Sequence, residues 1–160
     1  MTLRPTDPLP PPTRDLPGAI LGLWRLVARE DHDAEGTRHV DPVLGADPLG
    51  MLSFSPGHFA AQFSRRDRTT QGAGTGGGAG PGANNSAAVD GYDAYFGRYT
   101  LDGAAGTITT TLEGSVAAAN VGKLFVREIR VVEGRLIIQL ATTSAAGVAV
   151  TRRLTFARAG

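Results

Sequence analysis

The chain has 160 residues, 41% hydrophobic and 19% charged, a globular composition with enough apolar side chains for one core. Its formal net charge is +1, carried by scattered arginines and a single lysine, Lys123, so no strong field draws it to nucleic acid or an anionic membrane. The lack of cysteine excludes disulfides, thiolate metal sites and cysteine nucleophiles, and there is no run of about 18 apolar residues to form a membrane-spanning helix.

Residues 1–17 hold six of the ten prolines and no continuous apolar stretch. They read as a disordered, solvated tail. Without a basic start and an apolar stretch after it, a signal peptide is not expected, and the expected compartment is the cytoplasm. From Ile20 to Glu30 the pattern has period two, with Trp24, Leu26 and Ala28 on one face and Arg25, Val27 and Arg29 on the other. Asp31 to Gly36 is a polar turn, a short strand follows over Arg38 to Val40, and Pro42 and Pro48 bracket a loop. Met51–Ser55 and His58–Ser64 are strands joined by a tight Pro56-Gly57 connection.

Residues 72–88 form a flexible Gly-, Ala- and Asn-rich stretch, and the segment 65–88 that contains it could serve as a lid or a disordered flap beside a barrel opening. Ser86 can cap one or two helical turns running to Tyr92. Five strands follow, at about Phe96–Leu101, Thr107–Gly114, Lys123–Val132, Arg135–Thr142 and Val148–Phe156. Asp102-Gly103, Glu133-Gly134 and Gly147 suit hairpins. Eight or nine short strands in meander order predict an all-β fold, a single antiparallel barrel over residues 18–160 with one short helix near its mouth. Closure protects strands as apolar as Leu136-Ile137-Ile138 from edge pairing.

Several stretches carry a resemblance. They are Gly22-Leu23-Trp24, the run Gly45 to Gly50, Ala60-Ala61-Gln62, the run Asp90 to Tyr99, and Glu113-Gly114-Ser115, in that order. Over about residues 18–158 the chain resembles a family of bacterial and fungal lipocalin-like domain proteins, some of them encoded among genes for secondary metabolism. The resemblance implies a barrel with an internal pocket, closed at one end by Trp24 with an arginine of the last strand across its ring. Arg152 and Arg158 both have the parity for that role. Relatives commonly carry histidine near the middle of the sixth strand, where Thr110 and Thr111 stand here. They also tend to have a charged helical segment in place of the glycine-rich stretch.

The residues themselves point to further candidates. If the hairpin is symmetric about Asn120, Glu113 lies opposite Arg127, on the apolar face that also bears Phe125. The pair could be catalytic, Arg127 holding a carboxylate or enolate oxygen and Glu113 moving a proton, or it could be a structural ion pair at the rim. Tyr92, Tyr95 and Tyr99 are the chain's three tyrosines. Tyr95 and Tyr99 share parity and are expected to face the cavity, Tyr95 with a catalytic share and the others as ligand contacts. His58 and Gln62 share a face of their strand and are candidate ligand contacts, as is Asn120 in the loop after the sixth strand. Asp31, His32, Asp33, His39 and Asp41 have metal-binding atoms but no fixed geometry, so no metal is expected. The formal G-x-G-x-x-G at residues 72–77 lacks the strand before it and the helix after it, so a dinucleotide fingerprint is rejected.

The function expected is binding of a small hydrophobic molecule inside the barrel, with cofactor-independent cyclisation, isomerisation or loss of water performed on it; the alternative is a carrier without catalysis. No cofactor, nucleic-acid or membrane partner is expected, and the chain should be a monomer or homodimer.

Overall fold

The computed structural model describes residues 3–68 and 90–160. A four-residue helix, α1 (Leu16–Ala19), precedes β1 (Gly22–His32), β2 (Arg38–His39), β3 (Leu49–Ser55) and β4 (His58–Ser64). β5 (Tyr92–Asp102), β6 (Thr107–Ser115), β7 (Leu124–Val132), β8 (Arg135–Thr143) and β9 (Ala149–Arg158) complete the chain. All neighbours pair antiparallel in meander order, and β9 returns to pair with β1. β1 and β3–β9 therefore form a closed eight-stranded barrel, and β2 is a short extra strand on β1. No helix among the described residues is long and apolar enough to cross a membrane.

Alternation explains why these segments close around one core. Along β3, Leu52 and Phe54 point inward, and along β4 so do Phe59, Ala61 and Phe63, with more polar residues between them. Ile108, Leu112, Ile129, Leu136, Leu154 and Phe156 supply the same wall from the later strands. The predicted Pro56-Gly57 turn joins β3 to β4, with Gly57 at φ +76° and Ser55 paired to His58. The connection expected at Asp102-Gly103 is longer, running to Gly106, whose N–H donates back to the Asp102 carbonyl at 2.8 Å.

Two bulges break the alternation. In β1 the register shifts between Leu26 and Ala28, leaving Val27 as the extra residue opposite β9. An extra residue reverses which face the following side chains occupy. Arg29, expected on the outer face, is thus buried, and Asp31, expected in a turn, is a buried strand residue. In β6 the extra residue is Glu113, because Phe96 pairs with Gly114 and Gly97 with Leu112. A Cβ at Gly97 would lie 1.9 Å from the Thr111 carbonyl oxygen, so only glycine allows this close approach of β5 and β6.

Trp24 closes one end, fully buried, its indole N–H donating to the Ile20 carbonyl at 2.7 Å. Arg158, not Arg152, covers its ring, with the guanidinium carbon 4.0 Å from the ring centroid. Arg158 also donates to the Leu21 and Ala19 carbonyls, tying α1 to the last strand. Part of the segment expected as a disordered tail lies along the barrel wall. The Arg130 guanidinium donates to the Pro10 carbonyl at 2.7 Å, the Val131 N–H donates to the Thr13 hydroxyl at 2.8 Å, and Arg153 donates to the Arg4 and Asp7 carbonyls. The physical reason is that arginines on β7 and β9 offer more donors than their own strands can absorb. The glycine-rich stretch 72–88 and most of the helix expected from Ser86 lie outside the described residues. Tyr92, its expected last residue, opens β5 as a strand.

Candidate functional site

The pairings Ser64–Tyr92 and Tyr95–Ser115 put the end of β4, the start of β5 and the end of β6 at the end of the barrel away from Trp24. The β6–β7 loop, with its single 3-10 turn at Ala118–Asn120, lies there too. Between the strands is a cavity of about 90 Å³. Leu52, Phe54, Phe59, Phe63, Leu112 and Phe156 provide much of its apolar wall, and its polar lining comes from Asp93, Tyr95, Thr110, Ser115, Asn120, Arg127 and Arg152. A partly open space of this size, below the roughly 300–1,000 Å³ of drug-sized sites, suits a small molecule.

One side of the cavity rests on a buried charged group assembled by the β1 bulge. Arg152 grips Asp31 with two parallel hydrogen bonds of 2.8 Å, both side chains almost wholly buried. Arg29 pairs with Asp41 at 3.2 Å, and Asp41 also accepts the Val43 and Leu44 N–H groups. Asp93 on β5 is 1% exposed, and neither of its carboxyl oxygens has a hydrogen-bond partner among the described residues. Burial pushes its carboxyl up to about 6 and Asp41 adds to the rise; Arg29, the adjacent Ala94 amide, close by but outside regular hydrogen-bond geometry, and Arg152 pull it down. Asp93 was not among the expected site residues. The expected β5 began at Phe96, whereas the strand begins at Tyr92; its parity with Tyr95 and Gly97, an acidic residue in an inward position, was the available signal.

Of the expected residues, Tyr95, Arg127, Phe125 and Asn120 line the cavity. Tyr95 packs against Phe59 and Phe63, with ring centroids 6.1 and 6.3 Å away. Burial, reinforced by Asp93, raises its phenol to about 12, so it stays a neutral hydrogen-bond donor. The Arg127 guanidinium stacks over the Phe125 ring at 5.0 Å, and burial lowers its pKa. It has no carboxylate within ion-pairing distance among the described residues; Asn120, by contrast, accepts from Lys123 at 3.3 Å. Thr110 lines the cavity, and so does Arg152, through the strand face it shares with Leu154 and Phe156.

The other expected residues lie elsewhere. Glu113 does not meet Arg127: the hairpin pairs Ile108 with Arg127 and Thr111 with Leu124, a centre between residues 117 and 118 rather than Asn120. As the extra residue of its bulge Glu113 faces outward, 3.5 Å from Arg98. His58 and Gln62 are on the outer face of β4; His58 bonds the Pro56 carbonyl and Gln62 accepts from the Tyr92 hydroxyl at 3.0 Å. Tyr99 packs on Phe54 and donates to the Ser55 carbonyl at 2.9 Å, outside the cavity lining. The acids and histidines around Asp31 separate into distinct pairs: Asp31 with Arg152, Asp41 with Arg29, His39 with Asp33 at 2.8 Å and His32 with Glu30 at 3.4 Å.

A family model described as a lipocalin-like domain matches residues 21–159, from the residue before β1 to the one after β9. No curated protein matches the chain. The matched span takes in every strand of the closed barrel, its Trp24 plug and the whole cavity lining, and the chain belongs to the lipocalin-like domain family.

Proposed function

We propose that the barrel is a cofactor-independent enzyme acting on a small, mostly apolar molecule held in its cavity, by isomerisation, cyclisation or loss of water. The observation that carries this is Asp93, a buried carboxyl on the cavity wall with no hydrogen-bond partner for either oxygen among the described residues. A carboxyl raised to about 6 is both a usable acid and a usable base near neutral pH. In an isomerisation, ionised Asp93 removes a proton from a carbon beside the substrate's carbonyl and returns it to another carbon. In loss of water, protonated Asp93 delivers its proton to the hydroxyl as the C–O bond breaks, and the resulting carboxylate takes the proton from the adjacent carbon as the double bond forms. Arg127 and the neutral Tyr95 phenol polarise the oxygen on which charge builds. This moves the proton-transfer role from Glu113, which faces outward beside Arg98, to Asp93.

The test incubates the purified protein with small-molecule extract from its own source, with mass spectrometry of the solution and of the protein-bound fraction. A new species exceeding the protein's molar amount, and lost in Asp93→Asn with the fold intact, is the expected result. The second reading is a carrier, favoured by the outward position of Glu113 and by the two arginines near Asp93, which would make that carboxyl part of a structural charge group. One compound recovered unchanged from the bound fraction, with no product in solution, would establish the carrier and end the enzyme reading.

A further inference from the structure

The charges inside the barrel do not balance locally at Arg127. Arg152 is matched by Asp31 and Arg29 by Asp41. The groups acting electrostatically on Arg127 are Tyr95 and Arg152, a neutral phenol and a second cation. Within hydrogen-bonding reach it has the neighbouring Val126 carbonyl at 3.4 Å, a long contact for a charged donor. The Phe125 ring centroid lies 5.0 Å from the guanidinium carbon, a cation–π contact that uses none of its N–H donors. A half-buried cation with no carboxylate within ion-pairing distance among the described residues is costly, and the cost is recovered when a ligand brings the missing charge. The apolar lining is shared between aliphatic side chains and rings, the rings of Phe54, Phe59, Phe63 and Phe156 joining Phe125 and Tyr95.

We infer that the cavity's ligand is a flat, mostly apolar monoanion, of about one ring in its enclosed part, whose anionic oxygen is seated on Arg127. The inference rests on the reading of the barrel as a small-molecule site and names the chemical class that site takes. A carboxylate matches the guanidinium fork with two parallel hydrogen bonds; a phenolate or enolate oxygen meets it with one oxygen. Both share the same chemistry, an oxygen anion conjugated to a planar apolar body. Asn120 and Ser115, also on the lining, are placed to accept or donate at the polar end of such a ligand.

Titration calorimetry on the full chain with benzoate and with benzamide, its neutral counterpart, tests the inference. Benzoate is expected to bind at least about 10-fold more tightly, the strength of a charge-assisted bond over a neutral one. Arg127→Met should weaken benzoate by about 10- to 100-fold and leave benzamide within about threefold, while Arg127→Lys keeps part of the preference because ammonium retains charge but not the fork. A third probe, 4-nitrophenol, separates the two oxygen types. Increased ionisation on binding to the wild type but not to Arg127→Met extends the class to phenolates, and binding without it restricts the class to carboxylates. Equal affinity for benzoate and benzamide, or benzoate binding indifferent to Arg127→Met, overturns the inference and leaves a neutral-ligand barrel standing. Failure of the wild type to bind either compound overturns it together with the small-molecule reading. Thermal melts establish that the variants fold, and should Arg127→Met not fold, the benzoate-to-benzamide ratio of the wild type decides alone.

Discussion

At the scale of single residues, Asp93 has an effect on stability that reverses the usual carboxylate pattern. Most native carboxylates have depressed pKa values and lose stabilisation as pH falls. Asp93 is raised from 3.8 to about 6, so the folded chain binds more protons than the unfolded chain between those values. Its contribution to stability is therefore fully present below pH 4 and is lost as pH rises through 6. Above pH 7 the burial of its charge costs of the order of 3 kcal/mol. Asp93→Asn should accordingly melt higher than the wild type at pH 7.5 and at nearly the same temperature at pH 4. Melting curves at the two pH values check this, and a variant less stable at pH 7.5 would mean that Arg29 and Arg152 hold the ionised form. Changing Arg152 or Asp31 is destabilising instead, because each change leaves the other buried without its bidentate partner.

At the scale of elements, the two bulges decide what the barrel encloses. The β1 bulge brings Arg29 and Asp31 inside and so creates the charged group beside Asp93. The β6 bulge directs Glu113 outward and lets Ser115, three residues beyond Leu112, reach the cavity that Leu112 also lines. Gly97 is the residue that makes the second bulge possible. A methyl group there would collide with backbone rather than with a flexible side chain, so relief requires the strands to separate. Gly97→Ala is expected to cost about 3 kcal/mol or more, with widening of the β5–β6 contact. Denaturant unfolding measures the loss, and a change below about 1 kcal/mol would show that the strands part freely.

At the scale of the whole molecule, closure is completed by groups far apart in the chain. Trp24, the Ile20 carbonyl and Arg158 join the first strand, the helix before it and the last strand into one plug. The N-terminal segment adds a second tie, spanning from β7 through Pro10 and Thr13 to β9 through Arg4 and Asp7. Removing residues 1–14 takes those four partners from Arg130, Val131 and Arg153 and uncovers their donors. A loss of about 2–4 kcal/mol is expected, the sum of four ordinary hydrogen bonds, with the cavity unchanged. Urea unfolding of the shortened chain, alongside its ligand binding, checks both halves of that statement.

The sequence by itself determined the architecture. Period-two alternation, hairpin residues such as Pro56-Gly57 and Glu133-Gly134, and the Trp24 motif specify an antiparallel meander that closes, because these signals are local and repeat in every strand. It also pointed to Tyr95, Arg127, Phe125 and Asn120, whose inward positions depend on parity and on loops next to them. Only the tertiary structure decided the rest. Which arginine meets Trp24, which acid faces the cavity, and whether Glu113 and Arg127 meet all depend on register. A shift of one residue exchanges inside for outside, and the bulges at Val27 and Glu113 are made by cross-strand packing that no local pattern announces. The same reason separates Arg29 and Asp31, read as surface and turn, from the buried ion pairs in which the folded barrel holds them.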